Sequence, residues 1–319
     1  MKKGWLIIAS LAVIVMLVSG CGPTATKNGV VFNNSELERL VREAIGRPEG
    51  TIYPDDLESL TSLNLGGWFI QDITGLEYCT NLTYLDLSNN KISDISALAG
   101  MTRLTELYLV NNQISDISPL SSMTELKKLY LLNNQITDVS ALAGMTELTE
   151  LVLFQNQIGD VSPLSALVNL QMLMLGRNSI RNLTGLEAMV NLTYLEAMEN
   201  EITDILALSN LTNLVQLHLY TNSIEDVSPL ASLTALESLG LGSNKIQNIG
   251  PLTNLKRLKS LNLNDNEITD LESWSHYTPA EGQSLTLYIL NNPLSDVSLS
   301  TYIPAMQDNG LLVFWERPY

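Results

Sequence analysis

At 319 residues and 45% apolar content, the chain is long enough for one large core or two ordinary domains. Its formal charge of −17 argues against nucleic acid or an anionic membrane surface as partner. Its two cysteines, Cys21 and Cys79, are too few for a disulfide scaffold.

Residues 1–20 hold Lys2-Lys3, an apolar run from Trp5 to Val18, and Val18-Ser19-Gly20 ahead of Cys21. A basic start, a short apolar centre and small residues before a cut site describe a secretory signal. The stretch looks like a bacterial lipobox, which implies cleavage before Cys21, lipidation of Cys21 and an extracytoplasmic protein lipid-anchored to the bacterial cell membrane. Loss of Lys2 and Lys3 takes the charge from −17 to −19. An uncleaved transmembrane anchor is the other reading of this run, and Gly20-Cys21-Gly22 favours processing. Residues 21–30 are small, polar and aperiodic, a flexible tether whose nine residues after Cys21 reach about 30 Å at most.

Residues 31–59 read as a helical N-terminal cap. A helix is predicted over Asn33 to Gly46, with Ser35 and Glu38 at capping-box spacing and Leu37, Leu40, Val41, Ala44 and Ile45 on one face. Laid across the first coil of a stack, that face covers apolar side chains that no neighbour would otherwise bury. Pro54-Asp55-Asp56-Leu57 predicts a second short helix.

From 60 to 283 the chain repeats itself. Leu60 to Asn81 is a degenerate first unit, with Leu60, Leu63, Leu65, Ile70, Ile73 and Leu76 in register and Trp68 where later units carry Asn. From Leu82 to Trp274 a 22-residue unit, LxxLxLxxNxI, recurs without insertion, its Asn running from Asn90 to Asn266. Self-similarity of this kind specifies a solenoid. In Tyr84-Leu85-Asp86-Leu87-Ser88, alternation turns both leucines to one face and the variable residues to the other, so each unit supplies one short parallel strand. The recurring Asn is predicted to form a ladder, its amide satisfying backbone groups of its own and the adjacent coil. Asp94, Asp116, Asp138, Asp160, Asp204, Asp226 and Asp270 precede short apolar runs, often with Pro just inside, and read as caps of 3₁₀ turns. Cys79 shares a column with Met101, Met123 and Met145, which predicts a buried free thiol.

Residues 284–319 form the last repeat and a C-terminal cap. The register slips by four residues around His276 to Gln283 and returns as Leu287, Ile289, Asn292, Leu294 and Val297. A helix with Leu299, Tyr302, Ile303 and Met306, interrupted by Pro304, then leads to an apolar strand, Leu311 to Trp315, that covers the final edge.

These columns, and NLTYLDLSNNKISDISAL above all, resemble the leucine-rich repeats of the internalin family of bacterial surface proteins. The resemblance runs from about Val31 onward. It implies an α/β solenoid: a curved leucine-rich-repeat array with parallel strands on the concave face, short 3₁₀ turns on the convex face, a helical N-terminal cap and a helix–strand C-terminal cap. The chain departs from the family in having Tyr53 where similar caps place Ser or Thr before Pro54. It also ends at its cap, where large internalins continue into further domains and a wall-sorting signal, and its anchor has moved to Cys21. Host-cell invasion is therefore not implied.

With core and turns accounted for, the outward strand residues carry the functional information. Tyr84, Tyr108, Val110, Tyr130, Leu132, Phe154, Met174, Tyr194, Met198, His218 and Tyr220 would line an apolar, aromatic stripe bordered by Glu106, Glu150, Glu196 and Glu199. Solvent-facing strand positions should be polar, so the stripe reads as a protein-binding face that fades at Gly240 and Gly242. His218 beside Glu196 is the best catalytic pair on offer. No nucleophile, metal-ligand cluster or phosphate loop accompanies it, and the reading is a non-enzyme with no cofactor and no metal. The expectation is a monomeric, membrane-anchored module that binds a protein ligand, with a structural or glycan-binding envelope role as the alternative.

Overall fold

The computed structural model describes residues 28–316; the predicted signal peptide, Cys21 and the predicted tether up to residue 27 lie outside the described residues. Twelve three-residue strands make one open, all-parallel sheet in chain order. They are β1 Ser62–Asn64, β2 Tyr84–Asp86, β3 Glu106–Tyr108, β4 Lys128–Tyr130, β5 Glu150–Val152, β6 Met172–Met174, β7 Tyr194–Glu196, β8 Gln216–His218, β9 Ser238–Gly240, β10 Ser260–Asn262, β11 Thr286–Tyr288 and β12 Leu312–Phe314. Neighbours pair with like positions facing, as in Leu85 opposite Leu107 and Leu107 opposite Leu129. One apolar cluster runs unbroken from Leu37 to Val313.

The ladder links each coil to the one before it. Asn112 donates from Nδ2 to Leu87 O at 3.0 Å and to its own Leu109 O at 3.2 Å, and its Oδ1 accepts the Ile92 N–H at 3.1 Å. The same three bonds recur down to Asn292, which reaches Leu263 O, Ile289 O and the Ile268 N–H. Trp68 is tolerated at the first rung because no coil precedes it, and its own N–H is accepted by Asn90. The residue before each rung lies in the left-handed region, from Gly67 through Asn89, Asn111 and Asn133 to Thr221 (φ 55°) and Asn291. The repeated Asn-Asn pairs are the sequence trace of that constraint, since Asn accepts this conformation more readily than most residues.

Each Asp opens its 3₁₀ turn from one position further out than a cap. Asp94 Oδ1 accepts the Ser96 N–H at 2.8 Å, while Ile95 occupies the cap position. The equivalents at Asp116, Asp138, Asp160, Asp204, Asp226 and Asp270 do likewise. Cys79 is buried and free, and burial, with Glu77 nearby, pushes its thiol up to about 12.

Both caps differ from expectation in detail. α1 spans Ser35–Ala44, and its cap is Asn34, whose side chain accepts the Leu37 N–H at 2.9 Å. The extended backbone of Asn34 brings its short amide onto that donor, and Glu38 pairs with Arg42 at 2.7 Å in place of a capping box. Leu37 and Val41 enter the core, whereas Ala44 stays exposed. At α2, Pro54–Leu57, the Asp56 carboxylate accepts the Tyr53 N–H at 2.7 Å, the half of a capping box that does not depend on a Ser or Thr at the cap position.

At the far end Trp274 and Tyr277 fill two core columns and stack at 4.5 Å, the inserted residues bending around them. Val297 is 51% exposed rather than in the core; Ser298 turns inward instead, accepting the Leu271 N–H and donating to Thr269 O. A wide π-turn, Ser298–Tyr302, leads into α3, Ile303–Asp308, so Pro304 stands in the first turn of a new helix and breaks nothing. Leu299 is left outside. β12 then pairs in parallel with β11 and closes the stack. Among the described residues no helix is long and apolar enough to cross a membrane.

Candidate binding surface on the concave sheet face

All eleven outward residues of the predicted stripe lie on the sheet face opposite the core leucines, and all are half-buried. Parallel pairing in strict register brings like columns within about 4.8 Å of one another. The aromatics therefore stack across strands. Tyr84 and Tyr108 are tilted at 5.5 Å, and Tyr108 lies nearly parallel to Tyr130 at 4.9 Å. Tyr108 donates its hydroxyl to Glu106 at 2.8 Å, Tyr130 donates to Glu150, and Lys128 stands 3.5 Å from Glu150. Burial first, then the adjacent carboxylate, pushes the Tyr130 phenol up to about 12 and raises Tyr108 likewise. The two hydroxyls are thus held by carboxylates and the two rings by one another.

Further along, Val110, Leu132 and Phe154 continue the stripe, and the Arg177 guanidinium lies 5.5 Å over the Phe154 ring. Val152 is almost fully covered, between Tyr130 and Met174. His218 meets Tyr194 edge-on at 5.8 Å and stacks with Tyr220 at 5.9 Å. The stripe does not fade at Gly240. The Tyr220 ring lies over that glycine so closely that a Cβ there would sit 2.1 Å from its Cζ. Gly240 is thus a seat for an aromatic residue, and the covered face extends one strand further than the sequence shows.

Glu196 and His218 face each other in the β7–β8 register but make no hydrogen bond. Glu196 bends down over Gly176, where a Cβ would meet its Oε1 at 2.3 Å, and Oε1 accepts the Met198 N–H at 2.8 Å. Burial raises its carboxyl against the pull of the Met198 and Gly176 amides, and burial lowers the His218 imidazole.

Two features escaped the sequence reading. Tyr288 and Phe314 stack at 5.3 Å on the same face, beside the exposed Leu312, because the four-residue slip hides their membership of the column begun by Asp86. An amide ladder borders the face as well: Asn111 donates to Asn89 at 2.7 Å, Asn133 to Asn111 at 2.9 Å and Gln155 to Asn133 at 3.0 Å. The Asn-Asn pairs were its signal.

Residues 58–100, 102–144, 146–188, 190–232 and 234–276 match the family described as Leucine Rich repeats (2 copies). No curated protein matches the sequence significantly. Among solved structures, an internalin (inlF) of Listeria monocytogenes is 29% identical with a TM-score of 0.69, covering 92% of this chain and all of that one. Internalin C2 of the same organism is 33% identical over 72% of this chain and 92% of its own, with a TM-score of 0.56. The leucine-rich-repeat ectodomain of the Arabidopsis thaliana receptor kinase GASSHO1/SCHENGEN3, in complex with CASPARIAN STRIP INTEGRITY FACTOR 2, is 26% identical with a TM-score of 0.64, covering 84% of this chain and 32% of that one. The chain accordingly belongs to the leucine-rich-repeat family and is internalin-like within it.

Proposed function

We propose that the protein is a membrane-anchored, extracytoplasmic recognition module that holds a protein ligand on its concave face. The observation that carries this reading is the continuous half-buried stripe from Tyr84 to Tyr220 on a face that the fold leaves uncovered. Binding energy in such a surface concentrates in a few central aromatics. Tyr108, Tyr130, Phe154 and Tyr220 occupy that position. The complex of the similar plant ectodomain with its factor is a precedent for ligand capture on this fold. Support for the anchor is the sequence around Cys21 alone: Cys21→Ser should block lipidation and signal removal together, and a variant that still partitions into detergent at the mature mass would refute it.

Tyr130→Ser with Phe154→Ser should abolish recovery of the partner in pull-downs from envelope extracts, with the circular dichroism spectrum and melting curve nearly unchanged. Glu125→Ser with Glu147→Ser, away from the stripe, is the control. Equal recovery by wild type and the double variant would remove the concave face from consideration. A glycan-binding role has one observation in its favour, the amide ladder beside the stacked tyrosines. Isothermal titration with wall glycans separates the two.

A further inference from the structure

Among the described residues, three buried side-chain nitrogen or oxygen atoms have no hydrogen-bond partner: Glu196 Oε2, His218 Nδ1 and Gln283 Oε1. Two of the three belong to residues paired directly across β7 and β8 on the concave face. Orphaned buried polar atoms are costly, and two on adjacent strands at the middle of an uncovered face call for a partner from outside. Their surroundings are apolar. Phe154 and both Glu196 oxygens crowd the space above Gly176, and Tyr194 and Tyr220 flank the imidazole. Glu196 is only 4% exposed, so it is a built part of the surface and not a solvated rim charge.

Among the described residues no cation is bonded to this carboxylate, and Arg177 acts on it only through space. Arg177, the basic residue beside it, is held by Glu199 at 3.0 Å and spread over Phe154. Lys128 is taken by Glu150 two strands further off. Within a chain of net charge −17, a buried carboxylate with one oxygen left without a partner, close to aromatic rings, is complementary to a basic group with a flat, weakly hydrated head.

Resting on the concave-face reading, we propose that the ligand inserts an arginine side chain between Glu196 and His218, its guanidinium donating to Glu196 Oε2 and His218 Nδ1 at once. The forked donors of a guanidinium match two acceptors on adjacent strands, and its plane packs on tyrosine. A neutral imidazole carrying its proton on Nε2 offers Nδ1 as the acceptor, and burial favours the neutral ring. Access requires Phe154 or the flexible Met198 to turn aside. Glu196 and His218 are on this account the residues that set specificity, and the surrounding aromatics exclude water.

The chain has two histidines, so the His218 ring can be followed by NMR and assigned with a His218→Asn variant. The probes are the peptides acetyl-Leu-Arg-Leu-amide and acetyl-Leu-citrulline-Leu-amide, the second lacking the charge. The arginine peptide should shift the His218 Cε1–Hε1 signal saturably, and the citrulline peptide should bind at least tenfold more weakly. Glu196→Gln retains the Oε1 acceptor for Met198 and should weaken the arginine peptide at least tenfold with no loss of melting temperature. Equal binding of the two peptides, no shift of His218 with either, or an unaltered response in Glu196→Gln would each overturn the proposal. A partner lost on Tyr130→Ser with Phe154→Ser but retained by Glu196→Gln would overturn this inference alone and leave the concave-face reading standing.

Discussion

Replacing one rung of the ladder offers a sharp test of how the coils hold together. Asn156 donates to Leu131 O and Leu153 O, both at 3.0 Å, and accepts the Ile136 N–H at 3.0 Å. The two carbonyls have second donors: Asn134 reaches Leu131 O at 3.1 Å and Asn178 reaches Leu153 O at 3.0 Å. The Ile136 N–H has no second acceptor. Asn156→Ala therefore orphans one buried donor, and about 1–3 kcal/mol of stability should go. The sequence suggests that such damage spreads to both neighbouring coils, whereas the bonding directs it to the preceding one. At about 2 kcal/mol the Ile136 amide should lose protection from hydrogen exchange roughly thirtyfold. The Ile158 amide, which Asn178 accepts, should be unaffected. Asn156→Asp retains the acceptor but sets a second oxygen against Leu131 O, so its stability should recover on acidification, when the carboxyl can donate. Equal loss of protection at Ile136 and Ile158, or at neither, would refute the one-sided account.

Thr221 is β-branched yet left-handed, at φ 55°. Thr221→Asn should raise stability by about 0.5–1 kcal/mol, and a lowered melting temperature would show that its hydroxyl or methyl contributes more than the backbone strain removes. Burial holds the folded pKa of His218 below its unfolded value, so protonation favours the unfolded chain and stability should fall as pH drops below the ordinary histidine range. Glu196 works oppositely, its raised folded pKa giving stability at low pH that is lost as pH rises through it. Urea titrations across pH 4–8 should show both slopes, with His218→Asn removing the first and Glu196→Gln the second while Tyr194, Tyr220, Arg177 and Glu199 stay in place.

The repeat made most of this fold legible, because a period of 22 fixes which residues face inward before any coordinates exist. It failed where the period fails. Val297 and Ser298 exchange places because the four-residue slip lets the chain re-enter one residue out of step, and Tyr288 and Phe314 were hidden by the same slip. Asn34 outcompetes Ser35 as the cap through its backbone geometry, which propensity does not contain. In the stripe, the outward direction of each residue was readable from alternation. Where side chains go after leaving the strand was not. Tyr220 leans on Gly240, and Glu196 folds over Gly176 away from His218, because glycines leave room that a pattern of letters does not measure.

Each ladder Asn makes two bonds to the coil before it and one within its own, and none that depends on the identity of the coil after it beyond another Asn. Units are thus interchangeable parts in heredity. An in-frame duplication or deletion of 22 residues would leave every remaining rung closed, so such events should be tolerated by the scaffold far more readily than a change of one or two residues in length. Lengthening the gene by one unit would move Tyr220 one strand further from Tyr108 while altering no contact within either half. The spacing between anchor points on the concave face is consequently something that recombination can adjust in steps of one strand, without point mutation and without refolding the core.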